Sequence, residues 1–425
     1  AQIPLGTPAG SGYRVRVVTS APAAVGSDNG TNLTVGALTY AWTGAVSTDW
    51  FNAANWSCGQ VPNATSLVII GNGASFYPVI TGSTAALALN LTIQSGATFT
   101  NNGLFYLYGS VTVNGTVAAS LTSGWYFAGT GSQFIYGANP LQVGNVYINS
   151  GATLTMNNVL NVYASWYNYG TFVGGVAYGV YFNGTGGTQY IGGTSVSTFY
   201  NVFVNSGAVV NLGINTIFLN NFVVNGTFGA ASYGVVFGGS TGQTIGGTGT
   251  STYYNVTITN TVGLTLVSNI TVLGDWLNNG LFFGGTYSVI FGGTTAQLIG
   301  GTQVTNFYNV TFQNLVSVTL AQNIYVLGGF VTTGYFVRFG GTVAQVINAN
   351  ATTYFYHFYV DNAAGVSLNT NIYIAGNYYL YTGSFAPGTF TVYFNGTGGL
   401  VQTVGGYTGL SFYGWNIVSG AYVRL

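Results

Sequence analysis

The stretch Gln243-Thr-Ile-Gly-Gly-Thr248, followed by Tyr253-Tyr-Asn-Val256, decides the fold class of this chain. It is one copy of a repeated motif. Clear copies begin 54 residues before and after it, at Gln189 and Gln297, and weaker copies begin at Gln133, Gln345 and Gln402. A repeat this regular buries its apolar faces by stacking neighbouring copies, so it predicts a solenoid and not a compact catalytic globule.

The composition predicts an all-β chain. Of its 425 residues only 2% are charged, there is no Lys or Glu, and 67 Gly, 33 Tyr and 28 Phe take their place. Typical soluble domains are about 25% charged. β-branched and aromatic residues favour pleated sheets, whereas Gly and Asn favour the turns between strands.

The near absence of charge also limits the partners. Phosphate binding needs Lys and Arg, so nucleic acid is excluded, and attraction to anionic lipid is weak for the same reason. The chain has no run of 18 apolar residues, so no membrane insertion by a helix is predicted. With a formal net charge of zero, the chain also lacks the repulsion that keeps copies apart, which favours self-association.

Within one repeat, short apolar runs are separated by Gly or Asn. We predict a right-handed parallel β-helix of about six units of ~54 residues. About six strands per unit indicate two coils of three strands, with three shorter coils as the alternative. Val, Ile, Leu and Phe are expected to point inward, and Asn and Gly are expected at corners because they tolerate left-handed backbone angles. A membrane β-barrel fits less well because its strands would be antiparallel hairpins.

Residues 1–38 differ from the repeats. The alternation in Tyr13-Arg-Val-Arg-Val-Val18 predicts a strand, Asn32-Leu-Thr-Val35 predicts a second, and Asp28-Asn-Gly30 predicts the turn between them. So few strands cannot bury a core, so this segment needs a partner surface. We predict that it adds strands to a neighbouring subunit through the apolar positions Tyr13, Val15, Val17, Leu33 and Val35.

Residues 39–100 are predicted to form an N-terminal cap that leads into the solenoid. This region is rich in Trp, with Trp42, Trp50 and Trp56 close together. An end of a solenoid presents open strand edges that must be covered. Residues 101–425 are predicted to form the parallel β-helix repeats.

Three segments resemble parts of large secreted Bacteroidetes proteins exported by the type IX route. The stretch Trp42-Thr-Gly-Ala-Val-Ser-Thr-Asp-Trp50, with Asn90-Leu-Thr-Ile-Gln-Ser-Gly-Ala-Thr98, looks like the start of their β-rich repeat regions. The Gln-x-Ile-Gly-Gly-Thr units look like their parallel β-helix arrays. Residues 1–38 resemble the last strands of their Ig-like modules. The resemblance implies an extracellular or cell-surface protein, often adhesive or structural.

No catalytic, cofactor-binding or metal-binding residues are predicted. Sugar hydrolysis needs paired carboxylates, but Asp275 and Asp361 are more than one repeat apart. His357, the single His, occupies the place of Asn255 in its repeat and is interpreted as a turn residue with a local hydrogen bond. The single Cys, Cys58, is interpreted as an inert thiol, and no His/Cys/Glu cluster suits a metal.

These observations predict a non-enzymatic structural protein, a subunit of an extracellular filament or surface fibre joined head to tail by N-terminal strand addition. Its partner would be a second copy of itself. The alternative is the stalk or glycan-binding region of a large cell-surface adhesin, whose exposed Tyr and Trp would stack on a cell-surface or environmental polysaccharide. A polysaccharide-active enzyme is a third alternative.

Overall fold

A computed structural model describes residues 7, 10–36, 38–333, 336–350, 353–397, 401–407, 412 and 414–425. Contacts between Cα atoms divide the chain into two compact units, residues 1–158 and 159–425. Apart from one short 3₁₀ helix, Ala53–Asn55, all regular elements in the described residues are β-strands. The all-β class is therefore confirmed.

The unit of residues 159–425 is a parallel β-solenoid. As far as Phe336–Gly341, each strand pairs in parallel with the third strand after it, so one coil contains three strands. Asn255 lies beside Gly234 and Asn309 beside Ser288, 21 residues apart in each case, and other coils are up to a few residues shorter or longer. This length is set by three short strands and the corners that join them.

Three columns of strands run along this unit, and we name them faces 1, 2 and 3. Face 1 contains Trp166–Asn168, Thr188–Gly193, Val209–Leu212, Thr227–Gly229, Thr250–Tyr253, Ile270–Val272, Ser288–Phe291, Asn309–Phe312, Phe330–Thr332, Thr353–Phe355, Ile372–Ile374, Thr391–Phe394 and Gly414–Ile417. Face 2 contains Leu160–Val162, Gly179–Phe182, Asn201–Val204, Phe222–Val224, Gln243–Gly246, Leu264–Leu266, Phe282–Phe283, Thr305–Phe307, Ile324–Val326 and Gln345–Ala349.

Face 3 contains Thr171–Val173, Ser197–Phe199, Thr216–Phe218, Gly234–Phe237, Asn255–Ile258, Trp276–Asn278, Gln297–Gly301, Val318–Leu320 and Phe336–Gly341. The two long strands His357–Leu368 and Tyr378–Ala386 begin on face 3 and turn the corner towards face 2. Val401–Gly406 follows them and pairs with Tyr422–Arg424.

The unit of residues 1–158 begins with antiparallel strand pairs and continues with parallel coils. Its strands are Gly10–Tyr13, Arg16–Ser20, Ala23–Asp28, Leu33–Val35, Thr39–Trp42, Leu67–Ile70, Val79–Ile80, Ala85–Ala88, Asn90–Ile93, Thr98–Asn101, Leu104–Leu107, Val111–Val113, Thr116–Ala119, Gly124–Phe127, Ser132–Tyr136, Leu141–Val143, Asn145–Ile148 and Thr153–Met156. In its parallel part, Tyr106, Tyr126 and Tyr147 stack on one outer face, with ring centroids 4.2 and 4.3 Å apart.

The prediction of 54-residue units built from two or three whole coils is wrong. From the strand of Gln189 to that of Gln243, and again to that of Gln297, the chain advances by eight strands. Eight is not a multiple of three, so each repeat covers two and two-thirds coils. Successive repeats therefore begin on different faces, with Gln189 on face 1, Gln243 on face 2 and Gln297 on face 3.

The strand count was too low because one corner is hidden inside an apolar run. The motif Tyr253-Tyr-Asn-Val256 joins two strands, Thr250–Tyr253 and Asn255–Ile258, rather than beginning a single strand. Tyr253 is fully buried, Tyr254 lies at the corner, and Val256 is buried on the next face. In the sequence, two adjacent aromatic residues predict one continuous strand. Only the structure shows that the chain turns to the next face between Tyr253 and Asn255.

The interior follows the expected alternation. Along Asn255–Ile258 and most other solenoid strands, buried and partly exposed residues alternate, as a pleated strand requires. Trp166 and Trp276, which occupy equivalent repeat positions, are fully buried. Their indole N–H groups donate to Ser197 and Thr305 respectively. The aromatic side chain at this repeat position therefore serves to pack the interior.

Asn residues mark corners as predicted, but the proposed reason is wrong. Among the described residues other than Gly, only Ala231 has a positive φ. The corner Asn instead uses its side chain: Asn255 Oδ1 accepts from the backbone N–H of Asp275 at 2.7 Å, and Asn309 Oδ1 accepts from that of Gly329 at 2.7 Å. Each Asn thereby joins its own coil to the next one.

The Gln that marks each repeat is buried and spans two coils. Gln297 Nε2 donates to the carbonyls of Val272 and Gly274 in the preceding coil, at 3.0 and 2.7 Å. Its Oε1 accepts from the backbone N–H of Gly293 and from Nδ2 of Asn314 in the next coil. The Gln residues at the other repeat starts make the same pair of donations, namely Gln133, Gln189, Gln243, Gln345 and Gln402.

This arrangement predicts that Gln297→Glu destabilises the solenoid strongly. A carboxylate cannot donate to the two carbonyls, and an unsatisfied buried polar group costs about 1–3 kcal/mol. We expect a loss of about 3 kcal/mol or more in unfolding free energy. Gln303→Glu is the matched control because Gln303 is exposed. Thermal and urea unfolding of both variants measures the difference, and equal stability would contradict the role given to Gln297.

Candidate assembly interface

The predicted strand-exchange segment has a different internal pairing from the one expected. Gly10–Tyr13 pairs antiparallel with Leu33–Val35, and Arg16–Ser20 pairs antiparallel with Ala23–Asp28. The predicted single strand from Tyr13 to Val18 is therefore interrupted. Ala23–Asp28 was missed because its small residues carry little strand signal.

A polar junction holds the two strand pairs together. Arg14 forms an ion pair with Asp28 at 3.2 Å and donates to Asn32 Oδ1 at 3.0 Å. Asn29 accepts from the backbone N–H of Val15 through Oδ1 and donates its own backbone N–H to the Val15 carbonyl. Arg14 and Asp28, two of the few charged residues of the chain, thus fix the backbone at the point where it passes from the first strand pair to the second.

No residue from 10 to 36 is buried. The predicted interface residues divide between the two strand pairs: Tyr13 lies directly opposite Leu33, whereas Val17 lies in the second pair. Val17 is 70% exposed, and Val18 and Val25, which the prediction omitted, are 61% and 62% exposed. Val15, Leu33 and Val35 complete the predicted set, and they range from partly to largely exposed.

The Trp-rich region that follows is, by contrast, densely packed. Trp50 and Trp56 are buried with their rings edge to face at 4.8 Å, and Trp56 Nε1 donates to the Trp50 carbonyl. Asn55 is fully buried, accepts from two backbone N–H groups and donates to Ser47 and Asp49. This region therefore has a core of its own, which residues 10–36 do not.

A second exposed apolar surface lies on the coil formed by Gly414–Ile417 and Tyr422–Arg424. Gly414–Ile417 pairs with Thr391–Phe394 on one side, and within the described residues no strand lies on its other side. Trp415, Ile417 and Tyr422 are 46%, 45% and 61% exposed. Large apolar side chains are thus exposed on this strand.

The equivalence of His357 to the corner Asn residues is confirmed, but the expected local hydrogen bond is wrong, because the bond runs to the next coil. His357 Nδ1 accepts from the backbone N–H of Asn377 at 2.7 Å. Asn255 and Asn309 make the same link to the next coil from their equivalent positions. Burial lowers the pKa of His357 below its usual value, which favours the neutral ring that this bond requires.

The four Asp residues serve separate local purposes. Asp275 accepts from the backbone N–H of Leu298, Asp49 from that of Phe51, and Asp361 is paired with Arg338 and Thr382. Asp28 belongs to the N-terminal junction described above. The hydrogen bond to Thr382, followed by the contact with Arg338, lowers the pKa of Asp361 although slight burial opposes this. Cys58 Sγ donates to the Thr39 carbonyl at 3.3 Å.

Other features of the described residues carry no obvious chemistry. No group of three or more His, Cys, Asp or Glu side chains there could hold a metal ion. A surface groove is lined by residues 247–252 and 267–271 with Tyr287 and Ile290, and Tyr287 is its single titratable side chain. No helix in the described residues has the length and hydrophobicity to cross a membrane.

Comparison with known proteins identifies one partial match. Residues 41–124 match a domain family of unknown function, DUF8693. The match covers the Trp-rich region and the coils that follow it, less than half of the chain. No curated protein and no solved structure matches this chain.

The geometry of His357 predicts a pH-dependent stability. Because the folded-state pKa is lowered, the unfolded chain binds the proton first as the pH falls. The stabilisation is therefore complete above about pH 6.5 and is lost as the pH falls below it, by about 1 kcal/mol at most. His357→Asn should reduce the difference in melting temperature between about pH 7.5 and pH 5. An unchanged difference would show that other groups cause it.

Proposed function

We propose that this chain is an extracellular structural protein that polymerises head to tail, with residues 10–36 of one copy adding strands to the sheet of the next. The main support for this proposal is that residues 10–36 form two antiparallel strand pairs in which no residue is buried. Isolated strand pairs are marginal in water, and a partner sheet would supply the missing burial.

The proposed acceptor is the strand Gly414–Ile417 of the neighbouring copy. Its unpaired edge supplies backbone N–H and C=O groups, and Trp415 and Ile417 supply apolar surface for the exposed valines of the donor. The donor and acceptor surfaces differ, so the contact is heterologous and can repeat indefinitely. Such a contact builds a filament rather than a closed dimer.

The electrostatics of the chain favour such an assembly. Its formal net charge is zero and only eight side chains are charged, so copies meet with little long-range repulsion. Natural proteins protect exposed strand edges with Lys and inward-pointing charges. The proposed acceptor strand, Gly-Trp-Asn-Ile, has no charge of either sign.

Deletion of residues 1–38 is predicted to abolish filaments without unfolding the rest of the chain. None of residues 10–36 is buried, so the deletion leaves the packed Trp region in place. Negative-stain microscopy and sedimentation would measure assembly, and circular dichroism with thermal melting would confirm folding. Filaments of unchanged appearance from the folded deletion variant would refute strand addition.

Two point variants test the direction of assembly. Val17→Lys should disable the donor and Ile417→Lys the acceptor, because a charge on a strand edge opposes pairing. Each should stay monomeric alone, but an equimolar mixture should form heterodimers, since one intact donor then meets one intact acceptor. Val176→Lys, at an equally exposed apolar position, is the matched control and should polymerise normally.

The outcomes separate the proposal from its alternative. If Ile417→Lys alone still assembles, the donor binds elsewhere and the proposed acceptor is wrong. If the unmodified chain remains monomeric at all concentrations, the proposal fails and the stalk of a cell-surface adhesin becomes the better description. An isologous contact between two N-terminal segments would give dimers with Ile417→Lys but not with Val17→Lys.

A further inference from the structure

A cluster of Tyr side chains on face 3 departs from the pattern of the rest of that face. The outward row at one level of face 3 is Ile217, Val236, Thr257 and Leu277 over four successive coils. Further along the same face, neighbouring strands carry Arg338, Tyr359 and Tyr379 at matched positions, and the next strand carries Gly405. Neutral, mostly aliphatic outward positions on the earlier coils thus give way to a cation and two phenol rings in the separate row that follows Thr319.

A β-bulge adds a third ring to this cluster. Val360 pairs with Leu380 and Asp361 pairs with Thr382, so Tyr381 is an extra residue without an opposite partner. Bulges of this kind redirect side chains and occur often beside functional sites. Tyr381 lies 5.8 Å from Tyr359 and 5.7 Å from Tyr379, measured between ring centroids.

The coil that follows places no side chain against the Tyr379 ring, and Tyr359, Tyr379 and Tyr381 are all partly exposed. Gly405 is the neighbour of Tyr379, and a Cβ atom there would lie 3.4 Å from the Tyr379 ring. Any side chain at this position would cover the ring, as the stacked Tyr residues elsewhere cover one another. Tyr407, 85% exposed, lies 5.9 Å from Tyr381 and borders the open side.

Polar groups lie beside these rings. Arg338 forms an ion pair with Asp361, and Thr382 Oγ1 donates to the same carboxylate at 2.6 Å. Within the described part of the solenoid beyond residue 38, this is the one place where an Arg and an Asp meet. Their opposite charges compensate each other, yet Arg338 retains further N–H donors and Asp361 further lone pairs.

We propose that Tyr359, Tyr379, Tyr381 and Tyr407, together with Arg338 and Asp361, bind a neutral polysaccharide of β-linked pyranose units. The C–H groups on the face of such a ring carry partial positive charge and stack on the electron-rich face of a phenol. The Arg–Asp pair supplies charge-assisted donors and acceptors for the sugar hydroxyls. This site is independent of the assembly proposed above and needs a single copy of the chain.

The charge balance selects neutral over acidic sugars. A uronate chain needs uncompensated cations beside the rings, whereas Asp361 already neutralises Arg338. The next cation, Arg424, lies opposite Thr403 on the coil beyond Gly405, outside the row of rings. The elongated shape of the cluster, spread over three neighbouring strands about 4.8 Å apart, suits a chain of sugar units rather than a monosaccharide.

Isothermal titration calorimetry with cellohexaose, xylohexaose and laminarihexaose tests the proposal, and hexamannuronate serves as the acidic control. At least one neutral oligosaccharide should bind with a stoichiometry of one, and hexamannuronate should not. Tyr407→Ala and Tyr381→Ala should each weaken binding about tenfold, and the double variant should abolish it. Asp361→Asn should also weaken binding, because the pair that fixes Arg338 is lost.

Tyr190→Ala is the matched control, since Tyr190 is 45% exposed and lies on face 1, away from the cluster. It should bind as tightly as the unmodified chain. Melting curves establish that each variant is folded, and Tyr407→Ala removes a ring with almost no burial. Absence of binding to all three neutral oligosaccharides, tighter binding of hexamannuronate, or full binding by the double variant would each overturn the proposal.

Discussion

Satisfaction of buried backbone polar groups where coils meet is the constraint on which the rest of this structure depends. A coil of three short strands leaves carbonyl and N–H groups at every corner, and water is excluded from several of them. The chain has almost no charged side chains to serve these groups. Amides serve them instead, because an amide side chain both donates and accepts. Gln243 is bonded to the preceding coil through Phe218 and Asn220 and to the next through Asn260.

This constraint explains why the repeat is visible in sequence although it does not match the coil. A Gln is needed at a particular type of corner, and from Gln133 to Gln297 that corner returns after eight strands each time. Because each coil has three strands, the motif moves to a new face at each repeat. Between Gln189 and Gln297, each of the three faces consequently carries one copy of the Gln motif. Because the repeat recurs on each face, a surface that departs from it, such as the one around Tyr381, is easy to recognise.

The two proposals concern different parts of the molecule and different physical forces. Assembly would rest on backbone pairing and burial of aliphatic side chains, with residues 10–36 as donor. Sugar binding would rest on aromatic stacking and charge-assisted hydrogen bonds around Arg338 and Asp361. A polymer that carries one sugar site per subunit would bind a polysaccharide at many points, and multivalency would then increase its avidity without new contacts.

The sequence alone was sufficient for the all-β class, the parallel solenoid and the inward direction of the Val, Ile, Leu and Phe side chains. Periodicity, turn residues and apolar alternation are local properties, so they can be recognised in the sequence without knowledge of the fold. Alignment of the repeats also placed His357 at the position of Asn255, but it predicted a local hydrogen bond and not the bond to the next coil that both residues make. The run Tyr378-Tyr-Leu-Tyr381 could have indicated the aromatic cluster. The sequence did not show, however, that the side chains of both Tyr379 and Tyr381 point outward, because this depends on the β-bulge at Tyr381.

Only the tertiary structure decided the coil length, because Tyr253 and Tyr254 look like neighbours in one strand until the chain turns between them. It alone decided that Gly10–Tyr13 pairs with Leu33–Val35, since antiparallel partners far apart in sequence are chosen by the junction at Arg14. It alone brought Arg338, Tyr359 and Tyr381 together, because residues more than 20 positions apart become neighbours only when one coil stacks on the next. The sequence determines which side chains each strand carries. The stacking of coils determines which of those side chains become neighbours.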